Sequence, residues 1–336
     1  TGDRGNVGYG INAVGNNNQI GDFINTLKAG NFIAGNDLGS IRSDGDNNRF
    51  WANTLGRGET GSYISSEENG FMIFGDLNFI GGVNDGSGNE IYEHQAGNAI
   101  QLGEEGGDDA NNNLILNNTI GGASGPFLGT SSNGNGVYIE NGDTNSINGN
   151  HIINSGELLS NQGYGIYVRG NDTNITGNKI GFIDGLFTGS AQPNDLTGIN
   201  VKGDGNTIGT ELKPNFVSGN GFMGIYVEGS DINVSGNYVG VTESFEKIGN
   251  DGIGINILHN SGTLIVENNI IGDNSSGLFL QHPLNSPNTR FNYIGVAPDG
   301  TNIGNTFYGV NVLHGTNIDV SFNSIANNGL AGITIE

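Results

Sequence analysis

Eight short segments share one hydrophobic–polar pattern: a glycine, an apolar residue, a variable residue and a second apolar residue. They read GVYIE from Gly136, GIYVR from Gly165, GINVK from Gly198, GIYVE from Gly224, GINIL from Gly254, GLFLQ from Gly277, GVNVL from Gly309 and GITIE from Gly332. Strict alternation is the signature of a β-strand with one buried face. The pattern predicts the inward pairs Val137/Ile139, Ile166/Val168, Ile199/Val201, Ile225/Val227, Ile255/Ile257, Leu278/Leu280, Val310/Val312 and Ile333/Ile335. A second pattern, apolar–x–x–Asn–x–apolar, follows in INGNHI, ITGNKI, VSGNYV, VENNII and VSFNSI, placing Asn150, Asn178, Asn237, Asn269 and Asn323 in one register. Asn292 in TRFNYI joins them, and IAGNDL and ILNNTI match earlier in the chain.

The glycines of the first pattern recur every 23 to 33 residues. Two or three short strands per period describe a solenoid, because no segment carries a useful 3.6-residue apolar period. One coil cannot bury its own apolar face, whereas stacked coils can. Asn at a fixed register suits a corner between strands, since it tolerates left-handed backbone and its amide can hydrogen-bond along the stack. Gly suits the other corners. YGINAVG, GSYIS, GFMIFG and GNAIQLG repeat the theme less regularly near the N-terminus. The expected organisation is one domain, 1–336, less regular over 1–130 and regular over 131–336.

These repeats resemble the right-handed parallel β-helix proteins of pectate-lyase-like architecture. NYIGVAPDGTNIGNTFYGVNV and NYVGVTESFEKIGNDGIGINI are closer still to the repeat regions of large bacterial secreted and surface proteins. NDLGSIRSDGDNN and NKIGFIDGLFTGSAQPND look like degenerate copies. The resemblance implies an all-β right-handed parallel β-helix of about 11 or 12 coils. It implies little about activity, because such solenoids serve as lyases, hydrolases, epimerases, phage tailspikes, adhesins and stalks.

Composition sharpens this picture. Gly supplies 62 of 336 residues, far above the usual share of roughly 7%, and Pro only 6. Glycine without a three-residue period excludes collagen. The net charge of −23 argues against nucleic acid or an anionic membrane as partner. No apolar run approaches the roughly 18 residues of a membrane span. Cys is absent, which removes disulfide and thiol chemistry. The chain starts with Thr and is read as a mature or excised segment of an extracellular or surface protein.

Three groups of residues are candidates for chemistry. On the outward side of the GIYV-type strands, Tyr138, Tyr167 and Tyr226 form a column with Glu140, Arg169, Lys202 and Glu228 beside it. Exposed aromatics in a row stack on sugar rings, and flanking charges orient a glycan; cross-strand packing is the competing account. His259, His282 and His314 each lie five residues after the glycine of their strand. They form either a transition-metal column or a polar ladder produced by the repeat itself, and His94 and His151 lie outside it. In GEEGGDDANNN, Glu104, Glu105, Asp108 and Asp109 are a candidate calcium set, against the alternative of a solvated acidic loop.

Catalytic signatures of the resembled families are missing: no RxPxxR-like segment, no GHG and no DPH, with a lone DD in GGDDA. The leading expectation is therefore an extracellular, non-enzymatic structural or adhesive protein needing no cofactor. Its partners would be its own kind, end to end in fibres, or neighbouring domains of a longer chain. The alternative is a carbohydrate-binding or carbohydrate-active β-helix, lyase-like or hydrolase-like, acting on a polysaccharide. A tailspike would trimerise, and an ice-binding surface would need a flat Thr-x-Thr row, which is absent.

Overall fold

The structure is a computed structural model; it describes all residues except 1–5, 25–26, 60–63, 65, 67, 85, 93, 95–96, 122–133, 154–162, 184–189, 192 and 283–287. The chain divides into two compact units, Thr1–Gly170 and Asn171–Glu336. One domain with a change of regularity near residue 130 was the expectation from sequence.

Each unit is a parallel β-helix whose successive coils visit three sheets in turn. In the first unit, the first sheet stacks Ile11–Ala13, Ile41–Ser43, Phe71–Ile73, Ile100–Leu102, Val137–Ile139 and Ile166–Arg169. In the second it stacks Ile199–Lys202, Ile225–Gly229, Ile253–His259, Ser276–Gln281, Tyr308–Leu313 and Ala331–Ile335. Six such rungs in each unit agree with the coil number expected. All pairing within the three sheets is parallel and in register, as in Ile225↔Ile255 and Ile255↔Leu278. The second and third sheets use shorter strands, such as Ile232–Ser235 and Tyr238–Val239. Two antiparallel hairpins, Phe23–Ile24 with Leu27–Lys28 and Phe182–Ile183 with Ser190–Ala191, leave the coils as side excursions.

The alternation does what it predicts. Val137, Ile139, Ile166, Val168, Ile199, Val201, Ile225, Val227, Ile255, Ile257, Leu278, Leu280, Val310 and Val312 are all fully buried. Ile333 and Ile335, on the last described rung, are 46% and 60% exposed instead. Near the N-terminus, most of GSYIS lies outside the described residues. The rung at that level is GSIRS, where Ser43 replaces the second aliphatic and accepts a hydrogen bond from the Asn48 amide at 3.0 Å.

Two columns make the corners. The asparagines expected from ILNNTI onward stack as a ladder, whereas Asn36 of IAGNDL falls after its third-sheet strand and Asn31 takes the ladder position there. In the first unit, Asn31, Asn53, Asn89 and Asn118 each donate an amide to the next Asn Oδ1, ending at Asn150, at 2.9–3.1 Å. In the second, Asn215, Asn237, Asn269 and Asn292 do so, ending at Asn323, at 2.9–3.0 Å. These asparagines are not themselves left-handed, contrary to the sequence reading. Before most of them the preceding residue takes that conformation: Ala52, Asn117, Gly149, Gly177, Gly236, Asn268, Phe291 and Phe322; Gly30, Gly88 and Pro214, before Asn31, Asn89 and Asn215, do not. The ladder asparagine is thereby freed to aim its amide along the stack and at carbonyls beside it. A further ladder, Asn194, Asn220, Asn250, Asn274, Asn305 and Asn328, closes another corner of the second unit.

The glycines opening the middle first-sheet strands of the second unit are required by space rather than by torsion. A Cβ on Gly224 would sit 2.6 Å from the Gly254 carbonyl oxygen, and one on Gly254 would sit 2.8 Å from that of Gly277. No side chain fits there without moving backbone.

Asn237 tests the ladder. Its amide donates to Ile208 O at 2.8 Å and Asn269 Oδ1 at 3.0 Å, and its own oxygen accepts from Asn215 at 2.9 Å. Asn237→Ala strands these buried partners and should lower the unfolding free energy by about 2–3 kcal/mol, measured by urea titration. Asn237→Asp should lose at least as much, since a carboxylate cannot donate to Asn269. An effect no larger than that of the exposed Asn260→Ala would remove the ladder as a source of stability.

Candidate functional site

The outward face of the first sheet carries the seven candidate glycan residues, in two clusters. In the first unit, parallel register places Tyr138 beside Tyr167. Their rings stack at 5.0 Å and 14°, and Tyr164 leans on Tyr167 at 5.3 Å. The Tyr138 hydroxyl donates to the Glu140 carboxylate, and Arg169 Nη1 donates to Glu140 Oε1 at 2.5 Å. Glu140 and Tyr167 are buried at 7% and 8% exposure. Burial first, then the Glu140 carboxylate, pushes the Tyr138 phenol well above its ordinary range, so it stays a hydrogen-bond donor. Tyr167 and then Glu140 hold the Arg169 guanidinium above its ordinary value. The aromatic faces here are spent on each other, and the carboxylate is spent on two neighbours. This is cross-strand packing of the kind that contributes a few tenths to about 1 kcal/mol per pair.

In the second unit, Lys202 lies in register with Glu228, with Nζ 3.9 Å from Oε2. The Tyr226 hydroxyl donates to the same Glu228 oxygen at 3.2 Å. Burial, reinforced by Glu228, pushes the Tyr226 phenol up to about 12. On the following rungs, Gln281 donates to Asn256 Oδ1 at 2.8 Å. The charged groups again meet one another first.

The histidine column divides. His259 lies within its strand and is buried, in register with Gly229. His282 and His314 lie just past their strands, exposed, at left-handed corners with φ of 49° and 55°, and their rings tilt together at 5.3 Å. Equal sequence spacing therefore gives two environments, because the first strand runs on to His259 while the others stop before their histidine. Glu104, Glu105, Asp108 and Asp109 are all exposed, with Asp109 accepting from the Asn141 amide. Among the described residues, no three His, Asp or Glu side chains gather into a group suited to a metal ion.

A site that the sequence reading did not single out lies on the third sheet of the second unit. Glu211, Gly236, Tyr238, Asn268, Ile270, Phe291 and Tyr293 line a cleft of about 210 Å³. Register stacks Phe216, Tyr238, Ile270 and Tyr293 on successive rungs. Phe216 leans on Tyr238 at 4.8 Å, and Phe291 stacks on Phe322 at 5.7 Å and 26°. Tyr238 and Tyr293 rest against a small loop core of Val241, Ala297 and Ile303. Burial, then Glu243, raises the Tyr238 phenol. A signal for these residues existed: Tyr238 and Tyr293 each follow a ladder asparagine, and Phe291 precedes one.

No protein-family model matches the chain, and no curated protein matches it in sequence. Among solved structures, the crystal structure of Dettilon tailspike protein (gp208) resembles it over 97% of this chain, at 14% identity and a TM-score of 0.47. The chain spans 61% of the length of that tailspike. The β-helix assignment rests on the sheets themselves. No helix among the described residues is long and apolar enough to cross a membrane.

Arg169→Ala leaves the buried Glu140 with the Tyr138 hydroxyl alone. The unfolding free energy should fall by about 1–2 kcal/mol, with Arg169→Lys recovering part of it; unchanged stability in both would show that the pair contributes nothing. The histidines give a pH dependence. Burial lowers His94 from 6.5 to about 4, a Glu68 backbone group opposing, and burial also lowers His259. Such a group is neutral in the fold and protonates first in the unfolded chain. Its stability contribution is complete above pH 6.5 and is lost as pH falls toward 4, amounting to about 3 kcal/mol for His94. Urea midpoints should decline between pH 6.5 and 4.5, and His94→Gln should flatten that slope; an equal slope in the variant would remove His94 as its cause.

Proposed function

We propose that this chain is an extracellular, non-enzymatic structural or adhesive β-helix, whose contribution is a rigid patterned surface rather than turnover. The observation that carries the reading is the internal pairing of the reactive groups on its first-sheet face. Glu140 engages Tyr138 and Arg169, and Glu228 engages Tyr226 and Lys202. General acid–base work requires a carboxylate or cation within reach of a substrate proton, and these groups already satisfy one another. The inward positions are aliphatic and the corners are amide ladders, so both are occupied by the fold. An acidic surface of net charge −23 keeps such a protein soluble.

A second reading, recognition of a polysaccharide without cleavage, is favoured by the aromatic cleft at Tyr238, Phe291 and Tyr293.

The first test is turnover. Purified protein incubated with pectate, alginate, xylan and neutral glucans, with calcium and with chelator, should release neither reducing ends nor unsaturated uronates above a heat-treated control. Product formation that disappears in Glu140→Gln or Glu228→Gln would overturn the non-enzymatic reading and make the first-sheet face an active site.

A further inference from the structure

We propose that the third-sheet cleft of the second unit binds one pyranose ring of a neutral glycan. The proposal deepens the polysaccharide-recognition reading and rests on it, while remaining independent of whether the protein has a structural role.

The walls come from coil register. Tyr238, Ile270 and Tyr293 occupy the same outward position on three successive rungs. Rungs are ~4.8 Å apart, so the two tyrosine positions are separated by roughly 10 Å, with Ile270 between them. Phe216 and Phe245 already lie against the Tyr238 ring, at 4.8 Å and at 6.3 Å and 12°, so the sugar is placed against Tyr293 and over Ile270, with Tyr238 closing the far end of the cleft. Ile270 is buried and forms an apolar floor. The cleft volume of about 210 Å³ lies below the ~300–1,000 Å³ of sites for drug-sized ligands, which suits one ring rather than several. Packing of Tyr238 and Tyr293 on Val241, Ala297 and Ile303 fixes the walls before any ligand arrives.

The backbone supplies a second, independent observation. Phe291 lines the cleft with φ at 59°, and Phe322 one rung on has φ at 55°. Equivalent left-handed corners elsewhere hold Gly149, Gly177 and Gly236, Asn117 and Asn268, or the small Ala52. A bulky residue at positive φ is a genuine outlier, and strain of this kind gathers at functional sites. Phe291 is 45% exposed and Phe322 79%, so burial does not account for them. Arg290, held by Glu267 at 2.7 Å, lies 5.6 Å from the Phe291 ring centre and steadies it from one side. An exposed aromatic pair beside the slot extends its apolar wall toward neighbouring sugars.

The rim sets the chemical class. The Glu211 carboxylate and the Asn268 amide accept and donate to ring hydroxyls, as do tyrosine hydroxyls. The carboxylate and the net charge of −23 both disfavour uronates and sulfated sugars. The preferred ligand is a neutral hexopyranose whose axial C–H groups present an apolar face.

The test uses the whole chain. Cello-, chito-, manno- and galacto-tetraose are titrated by calorimetry against wild type, Phe291→Gly, Tyr293→Ala and Phe222→Ala. At least one sugar should bind wild type. Phe291→Gly and Tyr293→Ala should weaken it tenfold or more, and Phe222→Ala, an exposed aromatic away from the cleft, should leave it unchanged. Phe291→Gly should also unfold at the same or higher urea concentration, because it restores the residue found at equivalent corners, so its loss of binding cannot come from misfolding. Absence of binding by all four sugars, or binding that both cleft variants retain, overturns the site. Turnover of a bound sugar would instead overturn the non-enzymatic reading and leave the site standing.

Discussion

The fold depends on one interaction repeated along the stack: the side-chain amide of a corner asparagine donating to the next. A coil with three sides must turn three times per period, and each turn takes backbone N–H and C=O groups out of the sheet ladders. Buried away from water, those groups need partners. Asparagine is the shortest side chain that both donates and accepts through an amide, so one residue can satisfy a carbonyl of its own or a neighbouring coil and its counterpart on the adjacent coil. An aspartate in place of Asn237 would lack the donor that the amide offers Asn269 and Ile208, and a longer amide would overrun the roughly 4.8 Å spacing of rungs. The ladder also fixes register. A slip by one residue would break an amide contact at the corner and turn every Ile and Val of the strand outward.

This division of labour restricts where function can be written. Inward positions are mostly aliphatic, most corner asparagines are buried, and the glycines before several first-sheet strands, Gly198, Gly224, Gly254, Gly277 and Gly309 among them, have no space for a Cβ. Only outward columns, the left-handed corner residue and the inserted loops remain free to vary. On the first sheet, the outward residues turn to one another: Tyr138 to Tyr167, Glu140 to Arg169, Lys202 to Glu228. On the third sheet of the second unit the aromatic row is interrupted by Ile270, and the interruption is what makes a cleft.

Much of this was legible in sequence where strands are long enough to show a period. GIYVE and GINIL declare their inward residues by alternation alone, and the asparagines of VSGNYV and VENNII declare a shared corner. The third-sheet column was not legible by the same means. Its strands are two residues long, as in Tyr238–Val239 and Tyr293–Ile294, too short for any alternation to appear. Tyr238, Ile270 and Tyr293 become neighbours only once coil register is known. The histidines failed in the opposite way. Their spacing is regular, yet where each strand stops places His259 inside and His282 and His314 at an exposed left-handed corner. NDLGSIRSDGDNN reads as a degenerate repeat, but its GSIRS does not show as a first-sheet strand because Ser43, satisfied by Asn48, replaces an aliphatic.

Aromatic rows therefore need a criterion beyond alignment to separate packing from recognition. Tyr138 and Tyr167 stack face to face in ordinary strand backbone, one of them buried, and their hydroxyl and charged neighbours are matched. Every feature of that pair lowers the energy of the fold. Phe291 and Phe322 also stack, but exposed, and on backbone that opposes their side chains. Ring contact recovers part of that opposition, yet glycine or asparagine at the same corner would avoid it altogether, as Gly236 and Asn268 do on the preceding coils. Leu77, at φ 58° and 53% exposed, shows the same conflict away from the cleft, so the strain at Phe291 supports a site only together with the cleft it borders. That cleft, with preset tyrosine walls and a polar rim, is the place where the strain can be accounted for in physical terms.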